Sequence, residues 1–481
     1  MSPKIQDMDN KTIVALSTPP GEGGIGIIRL SGSAALKIAK QYFAFKTKQG
    51  GLKKADDKFK FKPRKLYYGY FLDEQGEEID EVLLSYMAAP NSYTCEDVVE
   101  INVHGGIISV RKILELMLQG GARLAEPGEF TRRAYINGRI DLVQAESTLA
   151  LIRAKTDKGM KAALQGVKGN LSKTISKLRN QLLEVAAEIE VNVDFPHDDI
   201  EREVKHRKDM ENQIQEVYDQ VQKLIEKHKA GKVLHEGLKT VIAGKPNVGK
   251  SSLYNILIGE DRALVTDIPG TTRDLLMDYI NIKGVPLRII DTAGIRSDGS
   301  IADKVEQLGV NYSRQALEEA DLIIFVVDAE TGITPEDRVV YQYMVNNSEA
   351  ARIIFVNKMD LNNTIQEEEI IEALQDDVIV YASLLHEQGL EELEQAILNT
   401  TYAGSIKGEE GTLVLEARQG ELLQKAAASL KEALVSIQDE MPMDLITIDL
   451  NHSHGCLGEI IGDNMKADLL DVIFSRFCIG K

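Results

Sequence analysis

The run Gly244-Lys245-Pro246-Asn247-Val248-Gly249-Lys250-Ser251 stands directly behind the apolar stretch Leu238 to Ala243. A strand that turns through glycines into a helix beginning Lys-Ser leaves few folds open. It predicts a parallel, doubly wound sheet with helices on both faces. Later apolar runs fit that sheet: strands are expected at Thr240 to Ala243, Leu287 to Asp291, Leu322 to Asp328, Ile353 to Asn357 and Val378 to Ala382, alternating with helical patterns. In such a loop backbone N–H groups approach a polyphosphate at the positive end of the helix. Lys250 then reaches the terminal phosphates, and Ser251 offers magnesium a hydroxyl.

Two downstream motifs narrow the ligand. Asp291-Thr292-Ala293-Gly294 ends a predicted strand, where a magnesium-side aspartate and a γ-phosphate-sensing glycine belong. Asn357-Lys358-Met359-Asp360 supplies a carboxylate that accepts from both N1–H and the 2-amino group of guanine. Adenine offers an acceptor at N1 and no amine, so discrimination of roughly 10⁴ against ATP is expected. Ser383 and Leu384, after the last strand, would back the base. Two departures from Ras-type switches matter. Ile295 follows Gly294 where a water-orienting glutamine would stand, and it cannot hydrogen-bond water. Asn247 either faces a monovalent cation near the phosphates, in the place of an arginine finger, or braces the loop.

The flanks differ from this α/β segment. Up to about Ile136, short β-rich runs (Thr12 to Leu16, Ile25 to Leu30, Tyr67 to Phe71, Glu81 to Met87, Val98 to Val103) alternate with turns and two helical patterns, an α+β domain. From Asp141 to Gly237 apolar residues recur at three- and four-residue spacing through Leu178, Leu182, Leu183, Val185 and Ile189, then from Ile214 to Ile225, predicting long amphipathic helices broken at Asp194-Phe195-Pro196. The tail from about Glu409 is again helical. Neither helical flank alone buries enough apolar surface for a bundle, so the α/β segment is expected to interrupt one helical domain.

Composition sets limits. With 481 residues, 56 Lys plus Arg against 75 Asp plus Glu and a net charge of −19, the chain as a whole is not drawn to phosphate backbones or anionic membranes. Three widely spaced cysteines, Cys95, Cys456 and Cys478, indicate neither a disulfide framework nor a zinc ribbon. The N-terminus lacks the pattern of a signal or transit peptide, and no run approaches membrane-spanning length, so a cytoplasmic location away from membranes is expected.

Four segments together resemble one family over essentially the whole chain: TIVALSTPPGEGGIGIIRLSG near the start, PNSYTCEDVVEINVHGG with PGEFTRRAYINGRIDLVQAE, the nucleotide segment including VTDIPGTTRD, and the final FCIGK. The chain resembles the tRNA-modification GTPases of the MnmE (TrmE) family. The resemblance implies a multidomain α/β plus α protein: an N-terminal α+β dimerisation and folate-binding domain over 1–137, a helical domain over 138–236 and 403–481, and an inserted P-loop G domain over 237–402. It implies a potassium-stimulated GTPase that forms a homodimer and works with a flavoprotein, MnmG, in a heterotetramer or larger complex on tRNA. The reaction implied is C5 modification of the wobble uridine to an aminomethyl or carboxymethylaminomethyl product, with a tetrahydrofolate (5-formyl or methylene) as cofactor.

Carried over position by position, GTP would be lined by Asn247, Val248, Gly249, Lys250, Ser251 and Ser252, by Thr266, Asp267, Ile268, Pro269, Gly270, Thr271 and Thr272, by Asp291, Thr292, Ala293 and Gly294, and by Asn357, Lys358, Asp360, Ser383 and Leu384. Asn247, Thr266, Ile268 and Thr271 would surround potassium, and Ser251 and Thr272 magnesium. Glu306 matches the acidic residue that orients water through a relay, answering the missing glutamine, and with Lys250 and Cys478 makes the catalytic set. Arg29, Glu100, Arg139 and Lys481 fall on folate positions, where basic groups suit the cofactor's carboxylates and Glu100 its pterin donors. A ribosome-assembly or signalling GTPase without modification chemistry is the alternative; it would need neither the folate segments nor FCIGK.

Other signals are discounted. Gly21-Glu22-Gly23-Gly24-Ile25-Gly26 fits a dinucleotide fingerprint in spacing but precedes a strand, so a turn is expected. His452, His454 and Cys456 lack a fourth metal ligand. Asp194, Asp198, Asp199 and Glu201 break one helix and cap the next. Lys46 to Lys65, with Phe59 and Phe61, is expected to be a half-exposed strand with a solvated edge, a tRNA contact being the alternative. Cys478 is either a reactive thiol or a small buried apolar residue.

Overall fold

A computed structural model describes residues 11–49, 51–55, 58–194, 200–259, 279–290, 316–361, 377–400, 415–463 and 465–481. Its chain forms two compact units: one is built mainly from the sequence up to Leu149 together with Gly458–Lys481, the other from most of Ala150–Leu457.

In the first unit, strands β1 (Ile13–Leu16), β2 (Gly23–Ser31), β3 (Phe43–Lys46), β4 (Leu52–Lys54), β5 (Leu66–Leu72), β6 (Glu78–Met87), β7 (Val98–Gly105) and β8 (Arg123–Leu124) make one sheet in the order β4-β3-β5-β6-β7-β2-β1-β8. Period-two alternation puts Val14, Ile28, Leu30, Leu84, Val99 and Ile101 on one face, where they pack with Ile38 and Ala39 of helix Ala35–Tyr42 and Ile113 and Leu116 of helix Ile107–Gln119. Ile13 and Ala15 point the other way, into a cluster with Ala125 and Phe130. Arg29 and Glu100, directly opposite in the β2–β7 register, are the polar alternates of Ile28 and Ile101. β2 starts at Gly23, so the glycine-rich run is a bend only at its first residues and a strand thereafter.

Lys46 to Lys65 differs from expectation. Past the end of β3 at Lys46, only Leu52–Lys54 is a strand among the described residues; Phe59 and Phe61 lie beyond it and point inward. Their rings join Phe43, Phe45 and Tyr67 at centroid distances of 4.6 Å for Phe45–Phe59 and 4.7 Å for Phe61–Tyr67. Aromatic burial, not ladder pairing, produces the alternation read in the sequence.

In the second unit, helix Asn170–Asp194 buries Leu171, Ile175, Leu178, Leu182, Val185 and Ile189. Leu183, expected on that stripe, is 57% exposed, because one further residue rotates about 100° away from it. Helices Ile200–Glu236 and Ala417–Gln438 pack closely: a Cβ on Gly420 would fall 2.3 Å from the His228 ring. The expected break at Phe195-Pro196 lies outside the described residues, as do Asp198 and Asp199.

Between those helices a second sheet runs in the order β10-β11-β9-β12-β13-β14, from β9 (Leu238–Ala243), β10 (Tyr279–Ile282), β11 (Val285–Ile289), β12 (Leu322–Asp328), β13 (Ala351–Asn357) and β14 (Val378–Tyr381). Every pairing is parallel except the β10–β11 hairpin. Leu253, Leu257, Leu393 and Ile397 pack on one face and Leu317, Tyr341 and Met344 on the other, so the sheet is doubly wound as expected. The edge strand β10 was not foreseen.

Candidate nucleotide site

Three loops at the carboxyl ends of β9, β13 and β14 build the site, where open parallel sheets bind ligands. The first is Gly244–Gly249. Gly244 (φ +144°) cannot carry a side chain, since a Cβ would meet the Val326 carbonyl oxygen at 2.4 Å. Asn247 is exposed in the left-handed region at φ +66°. Gly249 (φ +109°) caps the helix Lys250–Ile258, whose Leu253, Tyr254 and Leu257 anchor it to the core. Lys250 donates from Nζ to the carbonyl oxygens of Gly244 (2.8 Å) and Lys245 (2.7 Å). Burial pushes its pKa down. A desolvated ammonium that, among the described residues, is held by main-chain oxygens alone at a helix N-terminus suits a polyphosphate. Beside it Ser251 and Ser252 are exposed, and a serine hydroxyl suits a hard cation such as magnesium.

Asn357 ties the loops together. Buried at the end of β13, it donates from Nδ2 to the Val248 carbonyl (2.8 Å) and accepts at Oδ1 from the Leu384 N–H (3.1 Å). Asp360, exposed on the same turn, accepts from the Ser383 hydroxyl, and that hydrogen bond lowers its pKa below the usual carboxylate range. The carboxylate expected to read the base is thus held ionised and oriented by Ser383. Lys358, at φ +66°, reaches back to Asp328 at the end of β12 (2.6 Å). Lys245 pairs with buried Asp337 (3.1 Å), whose carboxylate also closes the capping box with Thr334.

The structure therefore brings together Asn247, Val248, Gly249, Lys250, Ser251, Ser252, Asn357, Lys358, Asp360, Ser383 and Leu384. Thr266, Asp267, Ile268, Pro269, Gly270, Thr271, Thr272, Asp291, Thr292, Ala293, Gly294, Ile295 and Glu306 lie outside the described residues. Asp328, Lys245 and Asp337 were missed. Their carboxylate and ammonium groups stand in three separate segments, and only the Pro335 helix start with Thr334 and Asp337 carries a local signal.

In the first unit Arg29 donates from Nε to Glu100 Oε1 (2.8 Å) and from Nη1 to the Gly480 carbonyl (3.0 Å), and its guanidinium stands 5.7 Å from the Phe130 ring centroid. Ser17 also donates to Gly480 (3.1 Å). The terminal FCIGK segment is thereby joined to β2 through Gly480, the chain neighbour of Lys481 and two residues from Cys478. Glu100 Oε2 has no partner among the described residues, which leaves it open to a ligand's donor. Cys478 is exposed, so packing does not account for it. Arg139 stacks over Tyr93 at 4.8 Å and lines an open pocket of about 670 Å³ with Arg132, Asp141 and Asp463; Arg29, Glu100 and Lys481 are not among that pocket's lining residues.

Two family models match: the GTP-binding protein TrmE N-terminus over residues 12–139 and the MnmE helical domain over residues 142–478. The chain is 45% identical over 473 residues to the tRNA modification GTPase MnmE of Alkaliphilus oremlandii, covering 98% of this chain and 99% of that one. The chain belongs to the MnmE (TrmE) family of GTPases. A second MnmE, from Clostridioides difficile, is 46% identical over 470 residues, again covering 98% and 99%. Among solved structures, Era of Aquifex aeolicus bound to GDP and AlF4⁻ shares 26% identity over 40% of this chain and 65% of that one, with a TM-score of 0.25, too low to carry weight. For this MnmE-family chain, no described helix is long and apolar enough to cross a membrane. His452 Nδ1 is engaged by the Ser429 hydroxyl (2.7 Å).

Proposed function

We propose that this chain is the GTP-hydrolysing component of C5 modification at the tRNA wobble uridine, stimulated by potassium and working as a homodimer with a flavoprotein partner, MnmG. That it is a GTPase of tRNA modification follows from family membership. The guanine-nucleotide part of this reading is supported above all by the Asn357 bridge, which holds the phosphate loop and Asp360 in one frame; the wobble-uridine, potassium and partner parts are supported by the family likeness alone.

Asp360 selects guanine by accepting two hydrogen bonds, and Ser383 keeps it ionised. Lys250 exchanges its carbonyl partners for the β- and γ-phosphates. Ser251 and Thr272 would hold magnesium, and Asn247, Thr266, Ile268 and Thr271 potassium; these ions neutralise charge that develops on the phosphates. Ile295 cannot orient water, so Glu306 is assigned that task through a relay. In the N-terminal domain, proposed as 1–137, Arg29, Glu100, Arg139 and Lys481 would bind the tetrahydrofolate, which supplies one carbon. Cys478, exposed beside that site, is assigned to the chemistry there. The G domain is taken as 237–402 between helical parts 138–236 and 403–481.

Purified chain should hydrolyse GTP several-fold or more faster in KCl than in NaCl, and Glu306→Ala should bind GTP normally while turning over roughly 100-fold more slowly. Equal rates in both salts would remove the cation role of Asn247, and unchanged turnover in the variant would return Glu306 to the surface.

A further inference from the structure

The stretch Lys46–Lys65 carries nine Lys or Arg and two Asp in a chain whose net charge is −19. All nine basic side chains are exposed: Lys46, Lys48, Lys53, Lys54, Lys58, Lys60, Lys62, Arg64 and Lys65. Apart from Lys53, none makes an ion pair with a carboxylate of the described residues. The segment is also held in place. Phe59 and Phe61 are packed edge-on at 4.9 Å inside the aromatic cluster, Lys40 donates to the Phe59 carbonyl (3.2 Å), and the Lys62 N–H donates to the Tyr67 hydroxyl (2.6 Å). With the rings turned inward, Lys58, Lys60 and Lys62 are turned outward together.

Edge protection accounts for only part of this charge. Lysines on the edge strand β4, Lys53 and Lys54, suffice to deter strand pairing. Lys58 to Lys65 lie beyond that strand. Fixed, exposed cations at alternate positions, without an ion pair to the described residues, suit a regularly spaced polyanion. With Phe59 and Phe61 turned inward, the cations are the contact groups of this face, so recognition would be of backbone and insensitive to sequence. We propose that the exposed basic face of Lys46–Lys65 binds the phosphate backbone of RNA. The choice of RNA over another polyanion rests on the tRNA-modification reading.

The test uses the full chain and a fluorescein-labelled tRNA transcript titrated at several KCl concentrations, with Lys58→Gln/Lys60→Gln/Lys62→Gln against wild type and against the triple Lys→Arg variant. These side chains lie outside the aromatic cluster, and GTP turnover of each preparation reports folding. The Gln variant should bind at least roughly tenfold more weakly at 0.1 M KCl, with the slope of log K against log [KCl] shallower by about 2 to 3, while the Arg variant restores both. Unchanged affinity and slope would overturn the proposal, as would no RNA binding by wild-type chain alone. So would a loss confined to binding of phosphatidylglycerol vesicles. Because potassium-dependent GTP hydrolysis is measured on the same samples, failure of the RNA face is distinguishable from failure of the GTPase reading.

Discussion

At the scale of single residues, the strongest structural commitment lies away from the nucleotide. Glu129 is 3% exposed and accepts from Arg123 (2.8 Å) and from Arg133 (2.9 Å), which reaches on to Glu96 (2.9 Å). Burial raises the Glu129 pKa, but the hydrogen bonds from Arg123 and the Glu126 N–H and the charge of Arg133 outweigh it, and the net shift is downward. A carboxyl with a lower pKa folded than unfolded stabilises the fold above its unfolded pKa, and that contribution disappears as pH falls through the folded value. Glu129→Gln should therefore destabilise the N-terminal unit by about 3 kcal/mol near pH 7, with the deficit narrowing below about pH 4. Urea unfolding at both pH values checks this; a deficit independent of pH would place the effect in packing. Sequence showed nothing of the network, because Glu96 and Glu129 look like any surface acid until the fold brings them to Arg133. Lys250 and Asp360, by contrast, were legible because their chemistry is written in contiguous motifs.

Among elements, the long strands were legible, and of the short ones β1 and β14 were but β3, β8 and β10 were not. β12, seven buried residues in a row, announces itself, whereas β8 has two residues and takes its identity from pairing with β1. Phe59 and Phe61 imitated a strand because inward aromatics in an irregular segment give the same period of two. The junction of the phosphate loop with its helix was readable as a motif, but the reason for its second glycine was not. A Cβ on Gly249 would lie 2.3 Å from Asn357 Nδ2, at a φ of +109°. Gly249→Ala should break the bridge from Val248 to Leu384 and, through strain and a lost hydrogen bond worth about 2 to 3 kcal/mol together, weaken GTP binding roughly 30- to 150-fold. Titration with a fluorescent guanine nucleotide measures it; wild-type affinity would mean that Asn357 does not organise the loop.

Over the whole molecule, function comes from segments far apart in sequence. Ser17 meets Gly480, 463 residues away, and the terminal FCIGK segment thereby completes the surface around Arg29 and Glu100. Periodicity and spacing give no access to such a contact; the likeness of the two ends to one family did. At the same scale, the proposed function would have hydrolysis, assigned to Lys250, Asp360 and Glu306, time the chemistry assigned to Arg29, Glu100 and Cys478. The most direct test is mass analysis of tRNA nucleosides from cells lacking this chain, complemented with wild type or with Glu306→Ala. The aminomethyl and carboxymethylaminomethyl wobble uridines should be absent in the deletion, return with wild type, and stay depleted with Glu306→Ala. An unaltered wobble-uridine profile in the deletion would contradict the account.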